Sequence, residues 1–303
     1  MKTGASQNLS SSCPLCALRS RRAFTRLLAF GGAAALAGPA TSVLAQDGVR
    51  GDVGGNARIA QLIPAEQVEG AATQQYAELL RDAAAKRALA PADHPQTVRL
   101  RSIAQRIIPF TPQWNPRAPQ WRWEVNLLLS KELNAFCMPG GKIAFYFGIL
   151  QQLQLNDDEV ATIMGHEVAH ALREHARKRM GQTMATRGAI ELGAALFGLG
   201  GISRMAADIG GQLLTLKFSR GDETEADIVG MELAARSGYD PAAGVSLWNK
   251  MLTANKTAPP QWMSTHPASD TRIRDIQSKL PKVQPLFEQS LRPGRRYAPP
   301  ALN

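Results

Sequence analysis

Apolar residues recur at helical spacing through most of this chain and at strand spacing in one short region. Val68, Tyr76, Leu79 and Leu80 predict a helix over 64–89. A break from Ala90-Pro91 to Pro95 precedes a second helix over 96–108, with Val98, Leu100, Ile103, Ile107 and Ile108 on its apolar side. The segment PFTPQWNPRAP is a proline-rich loop. Trp121, Trp123, Val125 and Leu127 then alternate with Arg122, Glu124 and Asn126, the period of a half-buried strand. Residues 134–141 lead into a Pro-Gly-Gly turn, and Lys142 to Phe147 read as a second strand paired with the first. An exposed edge of such a sheet is suited to holding an extended peptide by strand addition.

The second half of the pattern is helical. Asn156 and Glu159 form a capping box, and Asp157 and Asp158 suit the positive end of a helix running from 157 to about 180. Ile163, Val168 and Ala171 give that helix apolar surface, so it is expected to be buried. Residues 188–202 are apolar and Gly-rich, too short to span a bilayer and interrupted by Glu191. Core packing or a flap over a cleft is the first reading, and a peripheral membrane contact is the alternative. A helix from near Arg204 continues toward Ser219-Arg220. Another opens at Gly221–Asp227 and stops at Ser237-Gly238; Asp240-Pro241 starts the next. A loop over 254–262 and a last helix over 270–280 follow, and the tail 281–303 carries five prolines and little core material.

Composition narrows the class. At 303 residues with 44% hydrophobic and 20% charged positions, the chain can build one sizeable core. Its net charge of +10 is unevenly spread: Lys2, Arg19, Arg21, Arg22 and Arg26 lie in the first 45 residues, which hold no acid. The rest is about +5, without a basic helix or basic-aromatic interleaving, so a nucleic-acid partner is not expected. Ser20-Arg21-Arg22-Ala23-Phe24 followed by LLAFGGAAALAG and Val43-Leu44-Ala45 has the form of a twin-arginine export signal cleaved after about Ala45. This predicts a periplasmic protein: signal 1–45, linker and helical segment 46–95 (with 46–57 flexible), main domain 96–282, tail 283–303. Cys13 and Cys16 precede the cleavage position, and the remaining Cys137 offers no disulfide framework. Nothing in the sequence sets the oligomeric state.

The chemistry concentrates in His166-Glu167-Val168-Ala169-His170, an HExxH. Positions four apart lie about 40° apart around a helix, so both imidazoles can grip one Zn²⁺ while Glu167 reaches a water beside it as general base. His175 lies nine residues after His166, about 180° around a continuous helix, and reads as a surface histidine. Arg173 and Ala176 also stand where a metzincin has its glycine and third histidine. Glu223 and Asp227 share one face of a later helix; one can bind the metal while the other orients a ligand imidazole. Glu225 is expected to point elsewhere.

Taken in order, HEVAH, SRGDETEADIVG and STHPASDTRI, with NAFCMPGGKIAFYFGIL upstream, resemble the zinc metallopeptidases of family 48. That family includes the CAAX prenyl proteases and the HtpX and BepA types. The resemblance spans roughly 97–280. It implies an α+β, mainly α, zincin-like domain with a small sheet at the cleft, and one Zn²⁺ per chain. It carries over His166, His170 and Glu223 as ligands, Glu167 as catalytic base and Asp227 as the acid behind a ligand. His266 matches the family histidine before proline, near the zinc, with an oxyanion or gating role, and Arg272 matches the arginine of that segment. The implied activity is endoproteolysis of protein or peptide substrates, here misfolded or unassembled envelope proteins. The rival reading is a zinc-stabilised binding or chaperone module whose peptidase site is dormant.

Overall fold

The structure, a computed structural model, describes residues 47–196, 213, 216–255, 261–266 and 270–302. It is mainly helical around a three-stranded sheet. Helices α1 (Ala65–Ala85) and α2 (Pro95–Ile107) precede strands β1 (Glu124–Leu128), β2 (Ala135–Met138) and β3 (Lys142–Tyr146). Then come α3 (Phe147–Gln152), α4 (Asp157–Leu172), α5 (His175–Leu196), α6 (Arg220–Arg236), α7 (Ala243–Asn255), α8 (Gln261–Thr265) and α9 (Asp270–Gln289). The expected loop 254–262 is thus helical at both margins. Residues 188–196 of the segment 188–202 are the helical end of α5, whereas 197–202 and most of the helix expected from Arg204 lie outside the described residues.

β3 is the central strand. It pairs parallel with β1, with Val125 opposite Ile143, and antiparallel with β2, with Cys137 opposite Ile143. Residues 135–138, expected only as the approach to a turn, are therefore a third strand. They are too short to show a period by themselves. The turn behind them needs left-handed backbone at Gly140 and Gly141 (φ +82° and +76°), which glycine adopts without cost from a Cβ. β2 is an outer strand and packs against α4.

Helix α4 is the centre of the molecule. Its capping box forms as expected, Asn156 Oδ1 accepting from Glu159 N at 2.9 Å and Glu159 Oε2 accepting from Asn156 N at 2.9 Å. Val160, Ile163, Met164, Val168 and Leu172 are fully buried. At roughly 1.5–3 kcal/mol for each large apolar side chain, this helix is a main source of the burial energy. It ends sooner than its pattern suggests. Glu174 adopts φ +55°, and the helical run restarts at His175. Glu174 is held there by Arg177, whose Nη1 donates to Oε1 at 2.8 Å.

Two segments expected to be loose are packed. Val49 is fully buried and its N–H donates to Glu232 Oε2 at 2.7 Å, so the Gly-rich stretch 46–57 does not behave as a flexible linker where it is described. Helix α9 runs past Pro281 and Pro285 to Gln289, nine residues beyond the expected stop. An apolar stripe at Ile273, Ile276, Leu280, Val283 and Phe287 sustains it against the core, with Val283 fully buried. Beyond it, Tyr297 N donates to Asp157 Oδ2 at 2.8 Å and Gln96 Nε2 to Ala298 O at 3.1 Å. Within α2, Val98 faces solvent (38% exposed) while Arg99 is fully buried on Asp157 at 2.7 Å, reversing the expected face at these two positions.

Helices α4 and α6 touch backbone to backbone at Gly165 and Gly230. A Cβ on Gly230 would lie 2.5 Å from His166 N and 2.7 Å from Gly165 C; one on Gly165 would lie 2.5 Å from Gly230 O. Alanine in a helix is ordinarily favoured over glycine by about 1 kcal/mol. Here the overlap is with backbone, which cannot rotate away, so the sign reverses. Gly230→Ala should destabilise the metal-free protein by about 1–3 kcal/mol in denaturant titration. An unchanged midpoint would show that the contact tolerates a methyl group.

Candidate active site and metal centre

Four donor atoms from three elements converge beside this glycine contact. His166 and His170 lie one turn apart on α4, Glu223 comes from the first turns of α6, and His266 follows α8. One donor atom from each can be chosen so that all lie within 4.8 Å of one another. His166 Nε2 is 3.0 Å from His170 Nε2 and 3.2 Å from His266 Nδ1. Glu223 Oε1 is 3.0 Å from His266 Nδ1 and 3.6 Å from His170 Nε2; its Oε2 is 3.6 Å from His166 Nε2. All four residues are buried.

Behind the cluster, Asp227 Oδ1 lies 3.0 Å from His166 Nδ1. A carboxylate only accepts, so His166 carries its proton on Nδ1 and presents a bare lone pair on Nε2. Arg272 binds the same carboxylate twice, Nε donating to Oδ2 at 2.6 Å and Nη2 to Oδ1 at 2.7 Å, and its Nη1 lies 2.8 Å from Glu223 Oε2. Burial pushes the Asp227 pKa up, but the Arg272 charge and the His166 hydrogen bond outweigh it and bring it down to about 2. The stabilisation is therefore present above the ordinary carboxylate pKa of 3.8 and fades as pH falls toward 2.

The site gathers more carboxylates than permanently charged cations among the described residues. Glu167, Glu223 and Asp227 are three buried carboxylates facing one guanidinium, Arg272. Burial lowers the His170 pKa, the neighbouring imidazoles add to this, and the ring stays neutral. For His266, burial would lower the pKa, yet the Glu167 and Glu223 carboxylates overcome it and raise it. Glu223 shows the complementary change: burial raises its pKa and the His266 charge more than reverses this. Converging imidazole lone pairs and a carboxylate in a pocket of surplus negative charge match the donor preferences of a dication such as Zn²⁺.

Glu167 sits next to the cluster. Trp262 Nε1 donates to its Oε1 at 2.6 Å, and His266 Nε2 lies 3.6 Å away. Trp262 stacks on His266 (centroids 4.9 Å apart) and on Trp248 (5.2 Å), and the Arg272 guanidinium lies 3.7 Å above Trp248. This stack of indoles, imidazole and guanidinium was invisible as a motif. Its only trace is that Trp262 stands one helical turn before His266. Phe218 stacks on His170 at 4.1 Å. The cleft outside is lined by β2 and its flanks (Asn134 to Pro139) on one side and by Glu167, His170, Phe218 and His266 on the other. Among the described residues no strand pairs with the outer edge of β2.

The structure thus brings His166, Glu167, His170, Glu223, Asp227, His266 and Arg272 together. His175 is not on the surface. It is buried, because the break at Glu174 turns it back toward α4, where its Nδ1 lies 2.9 Å from His170 Nδ1. Glu225 does point away from the cluster, toward Arg173 (2.5 Å) and His175 (3.1 Å).

The sequence model of Peptidase family M48 matches residues 95–280, which spans α2 to most of α9. The chain belongs to this family. Its domain is therefore a zincin-like metallopeptidase fold, mainly helical with a small sheet, as the motifs implied. It is 34% identical over 203 residues to the mitochondrial metalloendopeptidase OMA1 of Schizosaccharomyces pombe, covering 66% of this chain and 58% of the relative. It is 27% identical to the beta-barrel assembly-enhancing protease of Escherichia coli (54% of this chain, 36% of the relative) and 29% identical to the metalloprotease LoiP of the same organism (50% and 60%). The chain spans about three fifths of the length of the mitochondrial relative. Among the described residues of this M48 chain, no helix is long and apolar enough to cross a membrane.

Replacing Arg272 by Met would strip Asp227 and Glu223 of their cation while keeping similar volume. Breaking a buried ion pair from one side costs about 3–5 kcal/mol. Denaturation of the metal-free Arg272→Met protein should show a loss of that size, and a loss below about 1 kcal/mol would mean the site is more hydrated than the geometry indicates.

Proposed function

We propose that the chain is a zinc-dependent endopeptidase, with His166, His170 and Glu223 as ligands and Glu167 as general base. The observation that carries this is the convergence of three uncharged or anionic donor groups on one point with the Glu167 carboxylate beside it. A bound zinc ion supplies Lewis acidity, polarising a carbonyl and bringing the pKa of water to about 7. The residues supply the rest. Glu167 accepts a proton from the attacking water and returns it to the leaving amine. The Trp262 indole N–H holds one Glu167 oxygen, and Glu167 lines the cleft. Asp227 and Arg272 fix the His166 ring and the Glu223 carboxylate. The outer edge of β2 offers backbone groups to an extended peptide laid along the cleft.

His266 gives the site a gate. Its Nδ1 stands among the ligand atoms, 3.2 Å from His166 Nε2, where a substrate carbonyl or water would otherwise approach. When the imidazole swings out, the same residue reaches the cleft wall and can donate to a developing oxyanion. Arg272 takes a supporting role behind it. We place the protein in the bacterial envelope on the strength of the Arg21-Arg22 signal and its apolar run, acting on misfolded or unassembled proteins. The names of its bacterial relatives, a beta-barrel assembly-enhancing protease among them, support this setting.

Zinc-loaded wild type should cleave casein, and Glu167→Gln, equally loaded, should be slower by at least about 100-fold, the usual contribution of a general base. Equal rates would favour the dormant binding module instead. Glu223→Ala should lose metal in elemental analysis of the purified protein; undiminished zinc would remove Glu223 from the ligand set.

A further inference from the structure

His166 has an acid behind it, and the equivalent support for His170 is not obvious from the motif. The structure supplies one through His175. The helix break at Glu174 places His175 Nδ1 2.9 Å from His170 Nδ1, and on the far side of the ring His175 Nε2 lies 3.1 Å from Glu225 Oε2 and 3.8 Å from Asp222 Oδ1. One of the two facing Nδ1 atoms must donate and the other accept. If a neutral His175 donated through Nδ1, its Nε2 would turn a lone pair toward two carboxylates, and a doubly protonated His175 would put the His170 proton on Nε2, among the donor atoms of the cluster. With the proton on Nε2, His175 donates to Glu225, accepts from His170 Nδ1–H, and leaves the His170 lone pair on Nε2, facing the ligand cluster.

We propose that His175 is a positioning residue which, with Glu225, fixes the tautomer and orientation of His170 as Asp227 does for His166. This rests on the zinc-site reading above. The acids of this relay are themselves held: Arg173 Nε lies 2.5 Å from Glu225 Oε1, and Lys178 Nζ lies 2.6 Å from Asp222 Oδ1. Asp222 also accepts from Ser219 N at 3.0 Å as half of a capping box. With both acids already neutralised by cations, the group His175, Asp222 and Glu225 is a support for the first site, not a second metal site. Phe218, stacked on His170, keeps the ring in the plane that the relay requires.

The test measures zinc affinity by chelator competition on the full chain, with the thermal midpoint of each metal-free protein alongside. His175→Leu should bind zinc about 10- to 100-fold more weakly, the usual effect of removing a group that orients a ligand. His175→Asn, whose carbonyl oxygen can stand where Nδ1 stood, should recover most of the loss. Glu225→Ala, at a partly exposed position, should weaken binding in the same direction. Ring-nitrogen NMR of isotope-labelled, metal-free wild type should find the proton on Nδ1 of His170 and on Nε2 of His175. A proton on Nε2 of His170 would overturn the relay. So would equal zinc affinity in His175→Leu, or in Glu225→Ala should His175→Leu not fold. A purely structural role would lower the thermal midpoints and leave affinity alone. Failure of the wild type itself to bind zinc would instead overturn the metal reading.

Discussion

The contact between Gly165 and Gly230 sets the scale of everything around it. Two helices whose backbones meet at side-chain-free positions approach more closely than helices separated by side chains, which pack at about 8–10 Å between axes. His166 follows Gly165 directly, and Asp227 lies one residue short of a turn before Gly230. The same close approach therefore brings the imidazole of one helix within 3.0 Å of the carboxylate of the other. A wider crossing would leave short acids such as Asp227 unable to reach. The capping boxes at Asn156 and Ser219 then fix where each helix begins, so the converging donor residues sit at set distances from set starts.

Placing this much charge in the core has an energetic consequence. Each ion removed from water costs several kcal/mol, recovered only when its partners are close and its hydrogen bonds complete. Arg272 meets that condition with two bonds to Asp227, one contact to Glu223 and a face on Trp248. One guanidinium facing three carboxylates still leaves surplus negative charge. Between them, the Glu167 and Glu223 carboxylates overcome burial and raise the His266 pKa.

The residues of the site were legible in the sequence to the extent that local periodicity carries them. HExxH, the pair Glu223 and Asp227, and the cap at Asn156 are all short-range patterns on continuous helices. His266 and Arg272 had no such pattern and came only through family resemblance. What periodicity missed has tertiary causes. The stop at Leu172 has no glycine or proline to announce it; Arg177 holds Glu174 in a left-handed conformation that its sequence does not favour. Pro281 and Pro285 read as an end to α9, yet an apolar stripe against the core outweighs their cost. Val49 and its neighbours look like a linker by composition, yet a buried acid far away in sequence, Glu232, holds the Val49 N–H, and Lys279 and Lys282 hold Asp52. Strand β2 is four residues long and borrows its identity from β3.

The break at Glu174 also explains why α6 begins with so many acids. A solvated helix start accounts for one or two of them through the helix dipole. Here Asp222, Glu223, Glu225 and Asp227 occupy the first two turns, and each has a different destination: Lys178, the ligand cluster, Arg173 with His175, and Arg272 with His166. Because α4 ends before His175 and α5 leaves in a new direction, the start of α6 faces both helices at once. At about 100° per residue, the steps from Asp222 to Glu223 to Glu225 to Asp227 turn by about 100°, 200° and 200° around α6, so the acids can serve different neighbours. An uninterrupted helix from 157 to 180 would have carried His175 to the far side, leaving Glu225 without its imidazole and His170 without support. The unfavourable backbone at one glutamate is therefore tied to the surroundings of His170, and the acidic run in the sequence records the arrangement.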